Sequence, residues 1–310
     1  MNHSLWNGRQ DQDSAGDTRR LHQVVQAFTA QARDGSALIG FACDEGVRRN
    51  HGRIGAAQGP DAIRRMLANL PAHGITALCD AGNIACTDGN LEQAQQQLAS
   101  LIADVKAQGI FPLVLGGGHE VAYGTFLGIA RHLGKAISQR RILIINFDAH
   151  FDLREAEEST SGTPFRQIAQ WCDWADVEFN YLCYGISQLG NTPALFQRAS
   201  QLDVNFMSDS EVANTDIQQI NTALKQRLEQ VDDIYLTIDL DVLPGEKAPG
   251  VSAPAAHGMA LEKIEFLVAT IKASGKLIAA DIAECNPVHD RDGLTAKVAA
   301  RLAHQILHPV

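Results

Sequence analysis

The sequence predicts an α/β fold with a mainly parallel sheet covered by helices on both faces. Three observations carry that expectation. Short apolar runs of strand length alternate with longer segments whose apolar residues recur at helical spacing. Strand, helix and strand in succession call for right-handed crossovers between parallel neighbours. Three acid- or histidine-bearing stretches also follow directly on apolar runs, at the carboxyl ends where open parallel sheets bind their ligands.

Residues 1 to 17 combine Asn, Gln, Asp, Ser and Gly with little apolar content and read as a flexible arm, in which Trp6 is the side chain suited to docking. Strands are expected at Ala37 to Phe41, Phe111 to Leu115, Ile142 to Phe147, Asn180 to Tyr184, Asp203 to Phe206, Ile234 to Asp239 and Leu277 to Ile282. Between them, Leu91 to Gln108, Ile217 to Gln230 and Leu261 to Ala273 space their apolar residues as helices do. The polar stretches Arg154 to Gln167 and Pro244 to Gly258 follow two ligand-bearing strands and read as a pocket rim. No internal repeat or low-complexity linker divides residues 18 to 310, which read as a single domain.

Bulk properties narrow the function. A chain of 310 residues has room for a large core. A formal charge of −10 argues against a general nucleic-acid or anionic-membrane binder. Cys43, Cys79, Cys86, Cys172, Cys183 and Cys285 are scattered without a Cys-x-x-Cys pair, as reduced core thiols in a cytoplasm are. The polar N-terminus lacks a signal-peptide core, and no apolar run reaches the ~18 residues of a membrane span. A cytoplasmic location with no membrane partner is therefore expected.

The chemistry concentrates in three places. Asp148-Ala149-His150-Phe151-Asp152 follows Ile142 to Phe147 and offers three ligands at alternate positions, which share a face as long as the chain stays extended. Asp239 and Asp241 end the run Leu236 to Asp241, and Gly116-Gly117-Gly118-His119 follows Phe111 to Leu115. At an effective dielectric near 20, unit charges about 4 Å apart repel by roughly 4 kcal/mol, so six carboxylate pairs cost on the order of 15 to 25 kcal/mol. A typical domain is stable by only about 5 to 15 kcal/mol. Either the acids lie apart, or they are protonated, or they neutralise cations. Two divalent ions balance four aspartates, and six side chains fill two shells only if some carboxylates bridge. Oxygen and imidazole ligands without thiolate favour Mn over Zn, Fe, Co or Ni.

These stretches, with Glu120 after His119, Asp281-Ile282-Ala283-Glu284-Cys285-Asn286-Pro287 and the segment Gly52 to Arg64, resemble the ureohydrolase superfamily of arginases, agmatinases and formimidoylglutamases over about residues 37 to 305. The resemblance implies an arginase-like three-layer α/β/α catalytic domain, two Mn2+ ions per subunit and a homo-oligomer, trimeric or hexameric. It implies that His119, Asp148, Asp152 and Asp239 hold one ion and Asp148, His150, Asp239 and Asp241 the other, with a bridging hydroxide attacking the substrate's amidine carbon. Asp152 is the implied proton carrier. Glu284 is the implied grip on the substrate's cationic nitrogens, and Asp281 reads as a structural acid.

Within the superfamily, Ser161-Gly162-Thr163-Pro164-Phe165 lacks the loop histidine of arginases and the leading His of agmatinases. Gly118 and Glu120 stand where those enzymes typically carry Asp and Ser. Both departures resemble the formimidoylglutamase branch, which implies N-formimidoyl-L-glutamate as substrate and a place in histidine degradation. Arg154 and Arg166 are candidates for its carboxylates. Two alternatives stay open: a guanidino-acid hydrolase or agmatinase releasing urea, and a non-catalytic amidine sensor or structural subunit. His257 and His289 are secondary pocket candidates, Cys285 reads as a buried thiol, and His3, His22, His51, His73, His132, His304 and His308 read as surface or packing residues.

Overall fold

A computed structural model of the chain describes residues 1–13 and 16–309, so positions 14 and 15 of the expected arm lie outside the described residues. Among the described residues nine strands form one sheet: β1 (Gln26–Ala27), β2 (Ser36–Ala42), β3 (Leu78–Ala85), β4 (Phe111–Leu115), β5 (Ile142–Phe147), β6 (Asn180–Ile186), β7 (Asn205–Ser208), β8 (Asp233–Asp239) and β9 (Leu277–Ala283). Their spatial order is β1-β3-β2-β4-β9-β8-β5-β6-β7, and every pair is parallel.

The helices are α1 (Glu45–Arg49), α2 (Gly59–Ala68), α3 (Leu91–Ala107), α4 (Val121–Leu133), α5 (Pro164–Ala175), α6 (Pro193–Gln201), α7 (Asp209–Asn214), α8 (Ile217–Glu229), α9 (Leu261–Ala273) and α10 (Leu294–Leu307). The two-residue strand period sorts the core between two faces. Leu143, Ile145 and Phe147 of β5 pack with α2, α8, α9 and α10. Ile142 and Ile144 pack with α4, α5 and α6, and Ile39 and Phe41 of β2 join α3. Both sheet faces are thus covered, which makes the three α/β/α layers.

All seven expected strands are present, though β7 begins two residues late, after Asp203 in a left-handed conformation (φ 52°). The three expected helices match α3, α8 and α9 within one residue. β1 and β3 were not anticipated; β3 is Leu-Cys-Asp-Ala-Gly-Asn-Ile-Ala, half-exposed and interrupted by Asp and Asn. The rim expected through Gln167 ends earlier, because Pro164 opens α5 and places Arg166 in its first turn. The described part of the N-terminal arm holds two buried residues, Leu5 and Trp6, and Trp6 Nε1 donates to Asp80 Oδ2 at 2.7 Å. Among the described residues no helix is long and apolar enough to cross a membrane.

Candidate active site

Four adjacent central strands, β4, β9, β8 and β5, end side by side, and each delivers its polar residues at its carboxyl end. β4 runs into His119, β9 into Glu284, β8 into Asp239 and Asp241, and β5 into Asp148, His150 and Asp152. The strand order reverses direction here, so the ends splay into a crevice. Gly117 lets the turn after β4 pass close to β2: a Cβ there would lie 1.6 Å from the Cys43 carbonyl oxygen. Gly118 N–H donates to that same oxygen at 3.0 Å, and Glu284 N–H donates to the Gly117 carbonyl at 2.7 Å, fastening the turn between its neighbours.

Two groups of ligand atoms result. His119, Asp148, Asp152 and Asp239 form the first, and Asp148, His150 and Asp241 the second. Asp148 belongs to both. Asp239, expected to bridge as well, faces the first group through Oδ2, and its Oδ1 accepts the Asp241 N–H at 2.8 Å. The shared face expected for 148, 150 and 152 does not form. β5 stops at Phe147 and Asp152 turns into the left-handed region (φ 48°), so Asp152 joins His119 while His150 meets Asp241 at 2.9 Å.

His119 Nδ1 is buried, and among the described residues it faces only three carboxylate oxygens, of Asp148 at 3.0 Å, Asp152 at 3.0 Å and Asp239 at 3.2 Å. Ligand atoms on adjacent corners of an octahedral shell with bonds of about 2.1 Å lie roughly 3.0 Å apart. The donor set therefore fits a divalent cation, and oxygen with imidazole suits a hard or borderline one. On its other side, Nε2 meets Thr237 Oγ1 at 2.9 Å, which fixes Nδ1 as the inward nitrogen. Asn146 Nδ2 donates to Asp148 Oδ2 at 2.9 Å and to Tyr181 Oη at 2.9 Å.

Electrostatics follow from this crowding. Burial, then the charges of Asp241 and Asp148, hold the Asp239 carboxyl well above its ordinary range. Burial pushes Asp241 up to about 6, with Asp148 adding to it. Burial opposes charge on His119, yet Asp148, Asp152 and Asp239 together hold its pKa well above the usual imidazole value. Without a cation the cluster offsets its own carboxylate charge by keeping protons on the imidazoles and on Asp239.

Glu284 is buried in the left-handed region (φ 68°). Its Oε1 accepts the His119 N–H at 3.1 Å, while Oε2 accepts no hydrogen bond from another described residue. Burial and then the charge of Asp239 push its pKa up to about 8. A cavity of about 260 Å³ opens here, smaller than drug-sized pockets and suited to a small molecule. Besides Glu284 and most of the cluster, it is lined by Asn50, His51, Gly52, Arg154, Ser161, Ser252 and Ala253.

Arg154 is exposed on the rim, its stem laid across Gly162, and it makes no ion pair with another described residue. Arg166 does not line this cavity; from α5 it pairs with Glu155 at 3.1 Å, and Glu155 also pairs with Arg198 at 3.0 Å. His257 and His289 are exposed and do not line the cavity either. Cys285 is buried, and burial raises its thiol pKa strongly. His51, expected to be a surface or packing residue, lines the cavity instead, and Asn50 was not singled out at all, because nothing links either to the ligand motifs; the turn after α1 brings them there.

Fold and site together define a class: a parallel α/β protein built to hold two divalent cations beneath a small polar cavity. The chain belongs to the arginase family, whose model matches residues 34–308. A formimidoylglutamase from Paraburkholderia xenovorans (strain LB400) is 51% identical over 318 residues, covering 99% of both chains. The crystal structure of formimidoylglutamase from Bacillus subtilis superimposes with a TM-score of 0.85 at 24% identity, covering 97% of this chain and 94% of that one. Trypanosoma cruzi formiminoglutamase, crystallised with Mn2+, gives a TM-score of 0.81 at 26% identity over 94% of this chain and 98% of that one.

Proposed function

We propose that the protein is a two-metal hydrolase that converts N-formimidoyl-L-glutamate and water to L-glutamate and formamide, a step of histidine degradation. The observation that carries this reading is the polarity of one cavity, with a carboxylate cluster and the free Oε2 of Glu284 at one part and the unpaired cation Arg154 at its rim. A substrate with an amidine at one end and carboxylates at the other is complementary to it. The name shared by the full-length relative and the two structural neighbours supports the same substrate.

His119, Asp148, Asp152 and Asp239 would hold one Mn2+, and Asp148, His150 and Asp241 the other. Bound cations supply charge stabilisation and a nucleophile drawn from water at neutral pH. Glu284 Oε2 accepts from the amidinium nitrogen and orients the formimino carbon over the cluster. Arg154 holds a carboxylate by charge-assisted hydrogen bonds. Water's oxygen becomes the formamide oxygen, the bond from the formimino carbon to the glutamate nitrogen breaks, and Asp152 Oδ2 carries a proton to that leaving nitrogen. The six cysteines are all free, which fits a cytoplasmic site of action, and a homo-oligomer, trimeric or hexameric, accords with the family.

The test is hydrolysis by Mn2+-loaded protein of N-formimidoyl-L-glutamate beside arginine, agmatine and guanidinobutyrate, with formamide and urea scored separately. Formamide from the first substrate alone is the expected result. Urea from a guanidine overturns the substrate assignment, and absence of any product overturns the enzymatic one.

A further inference from the structure

We infer that His51 is a substrate-recognition residue that, with Arg154, reads the two carboxylates of the substrate; this rests on the function proposed above.

The argument begins in the backbone. Helix α1 ends in a cap in which His51 N–H donates to Arg48 O at 3.1 Å and Gly52 N–H donates to Val47 O at 2.9 Å. These two bonds are the Schellman pattern, whose turning residue sits in the left-handed region and is usually glycine. Here that residue is His51, at φ 59°, and the glycine comes one position later. A histidine at this place bears a conformational cost that glycine avoids. The ring does not repay it through packing or bonding: His51 is exposed, and its ring makes no hydrogen bond or ion pair with another described residue. What it does is line the cavity.

Donor chemistry completes the assignment. Outside the ligand cluster, Arg154 carries the one guanidinium and His51 the one imidazole among the described residues lining this cavity. They come from different elements, His51 from the turn after α1 and Arg154 from the segment after β5. A dicarboxylate substrate presents two anions a few bonds apart, and Arg166, engaged with Glu155, is not there to take the second. Asn50, in the same turn as His51, adds an amide on that side.

The turn also provides the variant that tests this without disturbing the fold. His51→Gly suits the left-handed backbone and removes only the imidazole, and His51→Asn retains a polar side chain tolerant of that conformation. Both are assayed with Mn2+-loaded enzyme beside Arg154→Ala on N-formimidoyl-L-glutamate, N-formimidoyl-4-aminobutanoate, which lacks the α-carboxylate, and N-formimidoyl-L-2-aminobutanoate, which lacks the γ-carboxylate. His51→Gly is expected to raise KM for the dicarboxylate roughly tenfold to a hundredfold, as for a lost hydrogen bond to a charged group, with kcat largely retained. On one of the two analogues His51→Gly should change nothing, and on the other Arg154→Ala should change nothing. An unchanged KM, a uniform fall in kcat on all three substrates, or both variants going silent on the same analogue overturns the assignment. Wild-type enzyme that releases no formamide overturns the proposed function itself, and this inference with it.

Discussion

Thr237 Oγ1 lies 2.9 Å from His119 Nε2, on the opposite side of the imidazole from the three carboxylates that surround Nδ1. Thr237 is itself buried on β8, beside Asp281 of β9, whose carboxyl accepts the Tyr235 hydroxyl at 2.5 Å. Partners of this kind set ring orientation and nitrogen basicity, and their loss commonly costs 10- to 100-fold in metal affinity. Thr237→Val keeps the shape and removes the hydroxyl. Mn2+ titration by calorimetry should show a weakening of about that size at one of two sites, and equal affinities in the variant and parent would exclude an orienting role.

Asp148 and Asp241 differ in reach, because Asp148 belongs to both ligand groups and Asp241 to one. Asp148→Asn should therefore lower bound manganese at both positions, whereas Asp241→Asn should leave one ion per chain. Elemental analysis of dialysed protein reads the difference directly. Equal losses from the two variants would contradict the shared role of Asp148.

Gly118 and Glu120, which set this chain apart from the arginase pattern in the sequence, are in contact. A Cβ on Gly118 would sit 2.1 Å from Glu120 Oε2, and Glu120 Oε1 accepts the Gly46 N–H at 2.8 Å. Gly118→Asp alone should cost about 1 to 3 kcal/mol from overpacking. Adding Glu120→Ser should recover part of that, giving a favourable coupling in a double-mutant cycle measured by urea unfolding. Additive effects would mean the two positions vary independently.

The sheet's central strands and the ligand motifs were legible because burial on both faces writes a continuous apolar run, as in Ile142 to Phe147, and because ligands cluster where such runs stop. The edge was less so: β3 carries Asp80 because that carboxylate is paired with Arg64 at 2.9 Å and with Trp6, contacts no local pattern announces. α1, α2, α4, α5, α6, α7 and α10 were not read as helices either; in α4, Gly124, Gly128 and burial over much of the surface blur the helical period. In the site, side-chain identity was legible and direction was not. Asp152, Glu284 and His51 all take left-handed backbone conformations, which sequence patterns for non-glycine residues do not reveal.

Trp6 connects the arm to the body through Asp80. Trp6→Ala removes a buried indole and leaves Asp80 with Arg64 and the Gly82 N–H, so unfolding free energy should fall by about 3 to 5 kcal/mol. A loss below about 0.5 kcal/mol in urea denaturation, the range of ordinary surface substitutions, would show that the arm's docking contributes little.

Cation binding and pH are coupled through the cluster. In the cation-free protein burial and like charge hold Asp241 up to about 6 and Asp239 well above its ordinary range. A carboxyl whose folded pKa is raised contributes stability that is present below its unfolded pKa, near 3.9, and is lost as pH rises through the folded value. The cation-free fold should therefore weaken from about pH 4 to 6 through Asp241, and further as pH rises and Asp239 ionises. Mn2+ reverses this by neutralising the ionised acids, and the protons that His119 and His150 hold in its absence must leave when it binds. Binding at a hundred times Kd adds about 2.7 kcal/mol, which for a chain of this size shifts Tm by roughly 4 °C. Thermal unfolding with and without saturating Mn2+ should show that increment near full size at pH 7 and much reduced at pH 5. An increment as large at pH 5 as at pH 7 would mean that the raised carboxyls do not govern cation binding.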